Sequence, residues 1–405
     1  GQFPGKVILT GMEWNVPSHE HASTGCLESD GKCIAEFEYR FDQNDTDATG
    51  PAAAGMAWSG KIQTSDYTTA NGYPDYSSVL GLKPAHAKAI AGLRWLNDNH
   101  PYTSWVNIAH IERAGCGTAS DSGYSIAALR DMNDTAPTVF FGFEGIPGHQ
   151  KAANRGEFSP SACGGGTYGG AGFYIAEVGG VWDSLLADGR KIFNFVSSDF
   201  HMTKDDFYPG EYSKTYVKVT DNAHKDGTFT PQDILDALRS GNSFAVHGDL
   251  IDALDFRVFP GASHGNRSAT MGETLSVGKG EKITVQIRFK SPSHNNCQAG
   301  VNALSASACV PPVVHHVQLI QGHLNPTRAK KFLADGVTPN PAYNFVDGTV
   351  AYIAKTFDAS SWKTDDEGFA TMHFVVPHVR SDMFFRIRGT NKGYDEPGQT
   401  DGFGG

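Results

Sequence analysis

In the first part of the chain, short runs of consecutive apolar residues alternate with longer segments whose apolar positions recur every three or four residues. The runs are KVILTG, SWVNIAH, PTVFFGFEG and KIFNFVSSDFH. Between the first two, PAHAKAIAGLRWLNDNH sets Ile90, Leu93 and Leu96 at helical spacing with Trp95 beside them, a stripe that predicts a helix. VWDSLLADGRK reads as a helix closing at Gly189. TFTPQDILDALRSGN carries its own punctuation: Thr230 as cap, Pro231 in the first turn, an Ile234/Leu235/Leu238 stripe and Gly241 past the end. Continuous apolar strands alternating with helices predict a parallel α/β sheet, open or closed into a barrel, because only a strand covered on both faces can be apolar throughout.

The texture then changes. DALDFRVFPG, KITVQIRFKSP, VVHHVQLIQG, TVAYIAKTFD, FATMHFVVPH and DMFFRIRGTN are β-rich segments separated by Gly, Ser, Pro and Asn turns, with little helix between them. That pattern predicts an antiparallel β-sandwich. The expected division is residues 1–251 for the α/β part and 252–405 for the sandwich.

Composition narrows the picture. A hydrophobic share of 39% supports a buried core, and a net charge of −11 argues against tracking along nucleic acid, which needs a basic surface. No apolar run approaches the roughly 20 residues of a membrane span. The 6 cysteines fall into two close pairs, Cys26 with Cys33 and Cys297 with Cys309, and a remaining pair, Cys116 with Cys163. Neither close pair has the Cys-x-x-Cys spacing of a zinc knuckle or redox motif. Three disulfides are the expectation, and with them an oxidising compartment, periplasmic or secreted.

The chemistry gathers where the apolar runs stop. The first ends near Glu13, with His19 and His21 beyond it; the second at His110; the third at Glu144, followed by His149; the fourth at Asp199 and His201. In parallel α/β folds the carboxyl ends of the strands converge on one rim, where active sites sit. Imidazoles and carboxylates delivered there suit Zn²⁺, Mn²⁺ or Fe²⁺ and differ from a thiolate site. Asp199-x-His201 places two donors on the same side of an extended chain. Glu13, so close behind an aliphatic run, would be costly unless paired or ligating.

GMEW followed by HEHASTG, then NIAHIE, then SSDFH resemble the second, third and fourth motifs of the PHP (polymerase and histidinol phosphatase) superfamily. DILDALRSGNSFAVHGD before a β-rich tail looks like its CehA/McbA-type branch. The resemblance covers roughly residues 7–250. It implies a distorted (β/α)7-type barrel whose rim holds two or three divalent ions that activate water for hydrolysis of phosphate esters. Carried onto matching positions, Glu13, His21, His110, Asp199 and His201 are the expected metal ligands, with His19 outside the ligand set. The family's first motif, a His-x-His with a following Asp, has no counterpart in this chain. The expectation is therefore a barrel lacking its first strand here, with the missing ligands held elsewhere, or a reduced site.

Cationic and titratable groups near the rim supply the remaining candidates. Arg113 is the first choice for neutralising a substrate oxygen, against a salt bridge to a neighbouring acid; Lys151 and Arg155 read as solvated loop charges. His149 and His247 are candidates for shuttling a proton to a leaving group. The Gly-rich ACGGGTYGGAGFY lacks the Lys-Ser/Thr of a P-loop and reads as a loop. DQNDTD lacks the Gly and closing Glu of a calcium loop. His315 and His316, placed mid-strand, are expected to face opposite sides and so not to share an ion. No Gly-x-Ser-x-Gly elbow supports a serine hydrolase. Two classes remain: a metallohydrolase for a small-molecule phosphate ester, with carboxyl ester or carbamate as its rival, and a non-catalytic binding module.

Overall fold

The computed structural model describes residues 6–47, 61, 80–83, 85–118, 120–146, 158, 162–201, 208–220, 227–261, 267–294, 311–325, 330–394 and 396. His149, Lys151, Arg155, Cys297 and Cys309 lie outside them.

The chain opens with β1 (Gly11–Asn15) and β2 (His21–Cys26), followed by α1 (Lys32–Phe41), α2 (His86–Asn99), β3 (Ser104–Ile108), α3 (Ile126–Thr135) and β4 (Gly142–Ile146). Then come β5 (Thr167–Tyr168), β6 (Ala171–Gly172), α4 (Phe173–Ala176), α5 (Val181–Ala187), β7 (Phe193–Val196) and β8 (Ser213–Val217), and after them α6 (Pro231–Ser240) and β9 (Ser243–His247). One 5-stranded sheet runs β1-β2-β3-β4-β7. Its β3–β4 and β4–β7 pairs are parallel, while β1–β2 and β2–β3 are antiparallel. The sheet is thus mixed and open, with a hairpin at one edge and parallel strands at the other.

The first strand departs from the expectation. Val7 and Ile8 form no strand and stand exposed; the strand begins at Gly11, so Glu13 falls in its middle rather than at its end. Alternation explains the shift: Trp14 points inward, fully buried against Phe37, which turns its neighbour Glu13 outward. Leaving two aliphatics exposed costs less than leaving Trp14 out of the core.

The helices follow their signals. Ile90, Leu93 and Leu96 of α2 are buried in the same cluster as Phe37, Ile108, Phe140 and Phe143. In α6 the Thr230 side chain accepts from the Asp233 N–H and Asp233 returns the contact to the Thr230 N–H, Pro231 opens the helix, and Gly241 closes it at φ 77°. Gly189 ends α5 in the same left-handed conformation. The antiparallel β8–β9 pair is tied to β7 by a side chain: the Thr215 hydroxyl accepts from the Val196 N–H and donates to the Val196 carbonyl, both at 2.9 Å.

The second half contains β10 (Ala253–Pro260), β11 (Ala269–Thr270), β12 (Ile283–Lys290), β13 (His316–His323), β14 (Ala351–Asp358), β15 (Lys363–Thr364), β16 (Ala370–Val376) and β17 (Met383–Thr390). They form two antiparallel sheets, β11-β10-β12-β16-β15 and β14-β13-β17. Phe256, Val285, Ile287 and Met372 from the first and Val317, Leu319 and Phe357 from the second share one hydrophobic cluster. Because β13 begins only at His316, His315 escapes the alternation rule, and the two Nδ1 atoms lie 2.9 Å apart instead of facing opposite ways.

Buried charge joins the two halves. Asp183 of α5, wholly buried, meets Arg386 of β17 through Nη2–Oδ2 at 2.7 Å and accepts from the Gly179 N–H at 2.8 Å. Arg130 of α3 pairs with Asp188 at 2.8 Å and donates to the Tyr343 and Phe345 carbonyls. Among the described residues no helix is long and apolar enough to cross a membrane. Disulfides join Cys26 to Cys33 and Cys116 to Cys163, as bonds of an oxidising compartment.

Candidate metal centre

His110 lies two residues past the end of β3, and Asp199 lies just past β7. Between those strands in the sheet runs β4, which carries Glu144. The parallel order therefore brings together two groups just past their strands, His110 and Asp199, and one within β4, Glu144. His110 Nδ1 lies 3.2 Å from Glu144 Oε2, and His110 Nε2 lies 3.8 Å from Asp199 Oδ2. Glu144 is held in turn by Ser197, whose hydroxyl donates to Oε1 at 2.8 Å.

Both His110 (φ 52°) and Asp199 (φ 46°) adopt left-handed backbone. That conformation costs a non-glycine residue on the order of 1–3 kcal/mol and concentrates at functional sites. Here it turns each side chain off its strand toward the other.

The remaining predicted ligands extend this core. His201 Nδ1 donates to the Asp199 carbonyl at 2.7 Å, with the Asp199 carboxylate 3.8 Å away. On the other side the His21 and His110 rings are 6.5 Å apart, centroid to centroid, and His21 Nδ1 meets Glu13 Oε1 at 2.7 Å. The five residues thus form a connected row, buried at His110 and half-open at Glu13 and His21. His19 stands outside it. Its Nε2 lies 3.0 Å from His86 Nδ1, and His86 contacts Asp131.

The charges respond to this packing. Burial works against ionisation of His110, but the Glu144 carboxylate outweighs it and the imidazole is made more basic. Glu144 is the mirror image: burial pushes its carboxyl up, and the His110 and Ser197 contacts bring it below the usual range. Asp199 is raised by burial, with the Glu144 charge adding to it. Glu112, fully buried behind His110, is driven by burial to about 8.

Several observations bear on whether these residues fit a divalent ion. Asp199 Oδ2 is buried without a hydrogen-bond partner, and His110 Nδ1, although near Glu144, is out of line for a hydrogen bond. The 3.8 Å gap between His110 Nε2 and Asp199 Oδ2 is too wide for a hydrogen bond. It is within the span of two ligands that each sit about 2 Å from one ion. A carboxylate behind the ligating imidazole, the place Glu144 takes, is the usual outer partner of metal-bound histidine. The residues therefore fit an ion between His110 and Asp199. The wider row is looser: the described residues contain one set of three donors all within 4.8 Å of one another, and it is Cys26, Cys33 and His100.

Of the other candidates, Arg113 pairs with Glu20 at 2.8 Å and lies close enough to act electrostatically on both His110 and Asp199. His247 sits between the Ser213 hydroxyl at 2.6 Å and the Gly170 carbonyl at 3.0 Å, against the Gly-rich loop. Sequence reading marked Glu144 as a strand end without giving it a role, and passed over Glu112 and Ser197. The signal for Glu144 was its place at the end of an apolar run; its role depended on β4 lying between β3 and β7.

No family model, no curated protein and no solved structure matches the chain.

Proposed function

We propose that the chain is a metal-dependent hydrolase of phosphate esters, of the PHP type. The observation that carries this reading is the pairing of His110 with Asp199. The two arrive from different strands, share left-handed backbone, stand 3.8 Å apart and leave a buried carboxylate oxygen unpartnered. On this reading the open five-stranded sheet stands in the place of the barrel, and the two C-terminal sheets are a β-sandwich.

His110, Asp199, His201, His21 and Glu13 would hold Zn²⁺, Mn²⁺ or Fe²⁺, two or three ions if the set is complete, with Glu144 orienting His110. When bound, such cations supply Lewis acidity that acidifies water toward neutral pH. Arg113, kept in place by Glu20, presents positive charge to an anionic substrate oxygen. His247 and His149 are the candidates for returning a proton to the leaving group. Two disulfides fit a secreted or periplasmic setting.

Carboxyl ester or carbamate cleavage is the alternative chemistry, which needs less cationic lining than phosphate does. A second reading, a binding module with a reduced site, draws on the exposure of Glu13 and on the spread of the donors. Elemental analysis per chain, followed by hydrolysis of aryl phosphates and aryl esters with and without chelator, tests both. Metal-dependent turnover of the phosphate is expected. Turnover that survives complete metal removal would sink the hydrolase reading, and silence with metal loaded would favour the binding module.

A further inference from the structure

The tightest set of potential metal donors among the described residues lies away from the rim. Cys26 is the last residue of β2, Cys33 the second of α1, and His100 the residue that follows α2. One donor atom from each lies within 4.8 Å of the others. His100 Nδ1 is also 3.0 Å from Glu28 Oε1. Both cysteines are buried, His100 is half-buried, and the Trp95 ring stands 5.3 Å from the imidazole. Two sulfurs, an imidazole and a carboxylate are the donor set of a zinc-class cation.

We propose that Cys26, Cys33, His100 and Glu28 form a redox-gated site for a zinc-class divalent cation. With the two sulfurs bonded, the junction is stapled and holds no metal. With them reduced, the two thiolates and His100 grip the cation, and Glu28 either fills the fourth position or fixes the ring.

The scaffold for this does not depend on the sulfur–sulfur bond. The β2–β3 ladder sets Cys26 opposite Ser104, the Ser104 hydroxyl donates to the His100 carbonyl at 2.7 Å, and the Leu27 N–H donates to Thr103 at 2.7 Å. The His100 N–H is satisfied by Leu96 at 2.7 Å. Backbone bonds therefore keep β2, the α2 terminus and the imidazole in register when the bridge opens. A Cα separation of 6.3 Å between the cysteines lies within the range of a bridged pair, so opening needs side-chain rotation more than backbone travel.

The chemistry balances with a dithiol or phosphine reductant. It delivers two electrons, the bridge becomes two thiols, and each releases its proton on binding the cation. A disulfide oxidant such as oxidised glutathione runs the reverse: it takes the two electrons, the bridge re-forms and the cation departs.

The test uses the full chain, freed of metal by chelator and then reduced with a phosphine. Titration with Co²⁺ should give a thiolate-to-cobalt charge-transfer band in the reduced protein and none in the oxidised. The proposed rim ligands offer only nitrogen and oxygen and cannot produce it. The band should persist in a Cys116→Ser/Cys163→Ser variant and in a Cys297→Ser/Cys309→Ser variant, and vanish in Cys26→Ser/Cys33→Ser. His100→Ala should weaken Cd²⁺ binding at least about tenfold. As a second measurement, Cd²⁺ should protect Cys26 and Cys33 of the reduced wild type from iodoacetamide, read by peptide mass spectrometry. Absence of the band, its persistence without Cys26 and Cys33, no protection by Cd²⁺, or unfolding on reduction that the metal does not reverse would each overturn the proposal.

Discussion

Two of the places where ionisable groups are buried among the described residues treat them oppositely. At the seam between the molecule's halves, Asp183 and Arg386 meet through two contacts, with the Gly179 N–H adding a third contact to the carboxylate. Arg130 divides its donors between Asp188 and two carbonyls in the same saturated fashion. At the rim, Asp199 Oδ2, Glu112 Oε2 and His110 Nδ1 are buried without hydrogen-bond partners, and two of the residues hold strained backbone. Burial is costly in both places. At the seam it is offset by partners from the chain itself, and at the rim part of the offset is withheld. A seam holds a structure together; on the proposed reading, a rim left short of partners is where an ion would bind.

The largest break in this comparison should come from the seam. Arg386→Met leaves Asp183 buried and uncompensated and should cost about 3 to 5 kcal/mol of stability by urea unfolding, while the Asp183→Leu/Arg386→Met pair should recover most of it. At the rim the expected loss is of function instead. His110→Ala or Asp199→Asn should lower metal-dependent turnover by more than about 100-fold, since loss of an outer partner alone costs 10- to 100-fold. Stability of Asp199→Asn without metal should stay within about 1 kcal/mol, because asparagine tolerates left-handed backbone and Oδ2 has no hydrogen-bond partner to lose. Destabilisation of Asp199→Asn as large as that of the seam variant would erase the distinction.

Glu112 sharpens it through pH. Its folded pKa is raised from 4.5 to about 8 by burial, so between those values the unfolded chain gives up a proton that the folded chain keeps. Stability of the metal-free protein should therefore fall as pH rises through that window, by on the order of 1 kcal/mol per unit, and level off above it. Glu112→Gln should flatten that slope; an unchanged slope would mean the carboxyl is not buried as described. The smallest effect belongs to the half-exposed end of the seam. Lys331 meets Asp131 at 2.7 Å, and Asp131 keeps His86 as a second partner. Lys331→Met should cost no more than about 1 kcal/mol.

Much of this was legible along the chain. The α6 boundaries were written in Thr230, Pro231 and Gly241, whose effects are local. The Ile90, Leu93 and Leu96 stripe marked α2, and the six C-terminal segments all became strands. The first strand was less readable, because the inward demand of Trp14 outweighed the aliphatic run before it. His315 and His316 turned on where β13 begins, a boundary fixed by pairing with β14 and β17 rather than by composition.

The sequence by itself determined which donors the chain owns and, for His110 and Asp199, that they stand just past the ends of strands, because periodicity and termination are properties of neighbours. It could not say that β4 would lie between β3 and β7, nor that Glu144 would back His110 while Asp199 faced it. Those contacts join residues 34 and 89 positions apart, and strand order in a sheet is settled by which buried faces fit together. The same holds for Asp183 and Arg386, 203 positions apart. Each would be costly to bury alone, and only the folded molecule brings each the other.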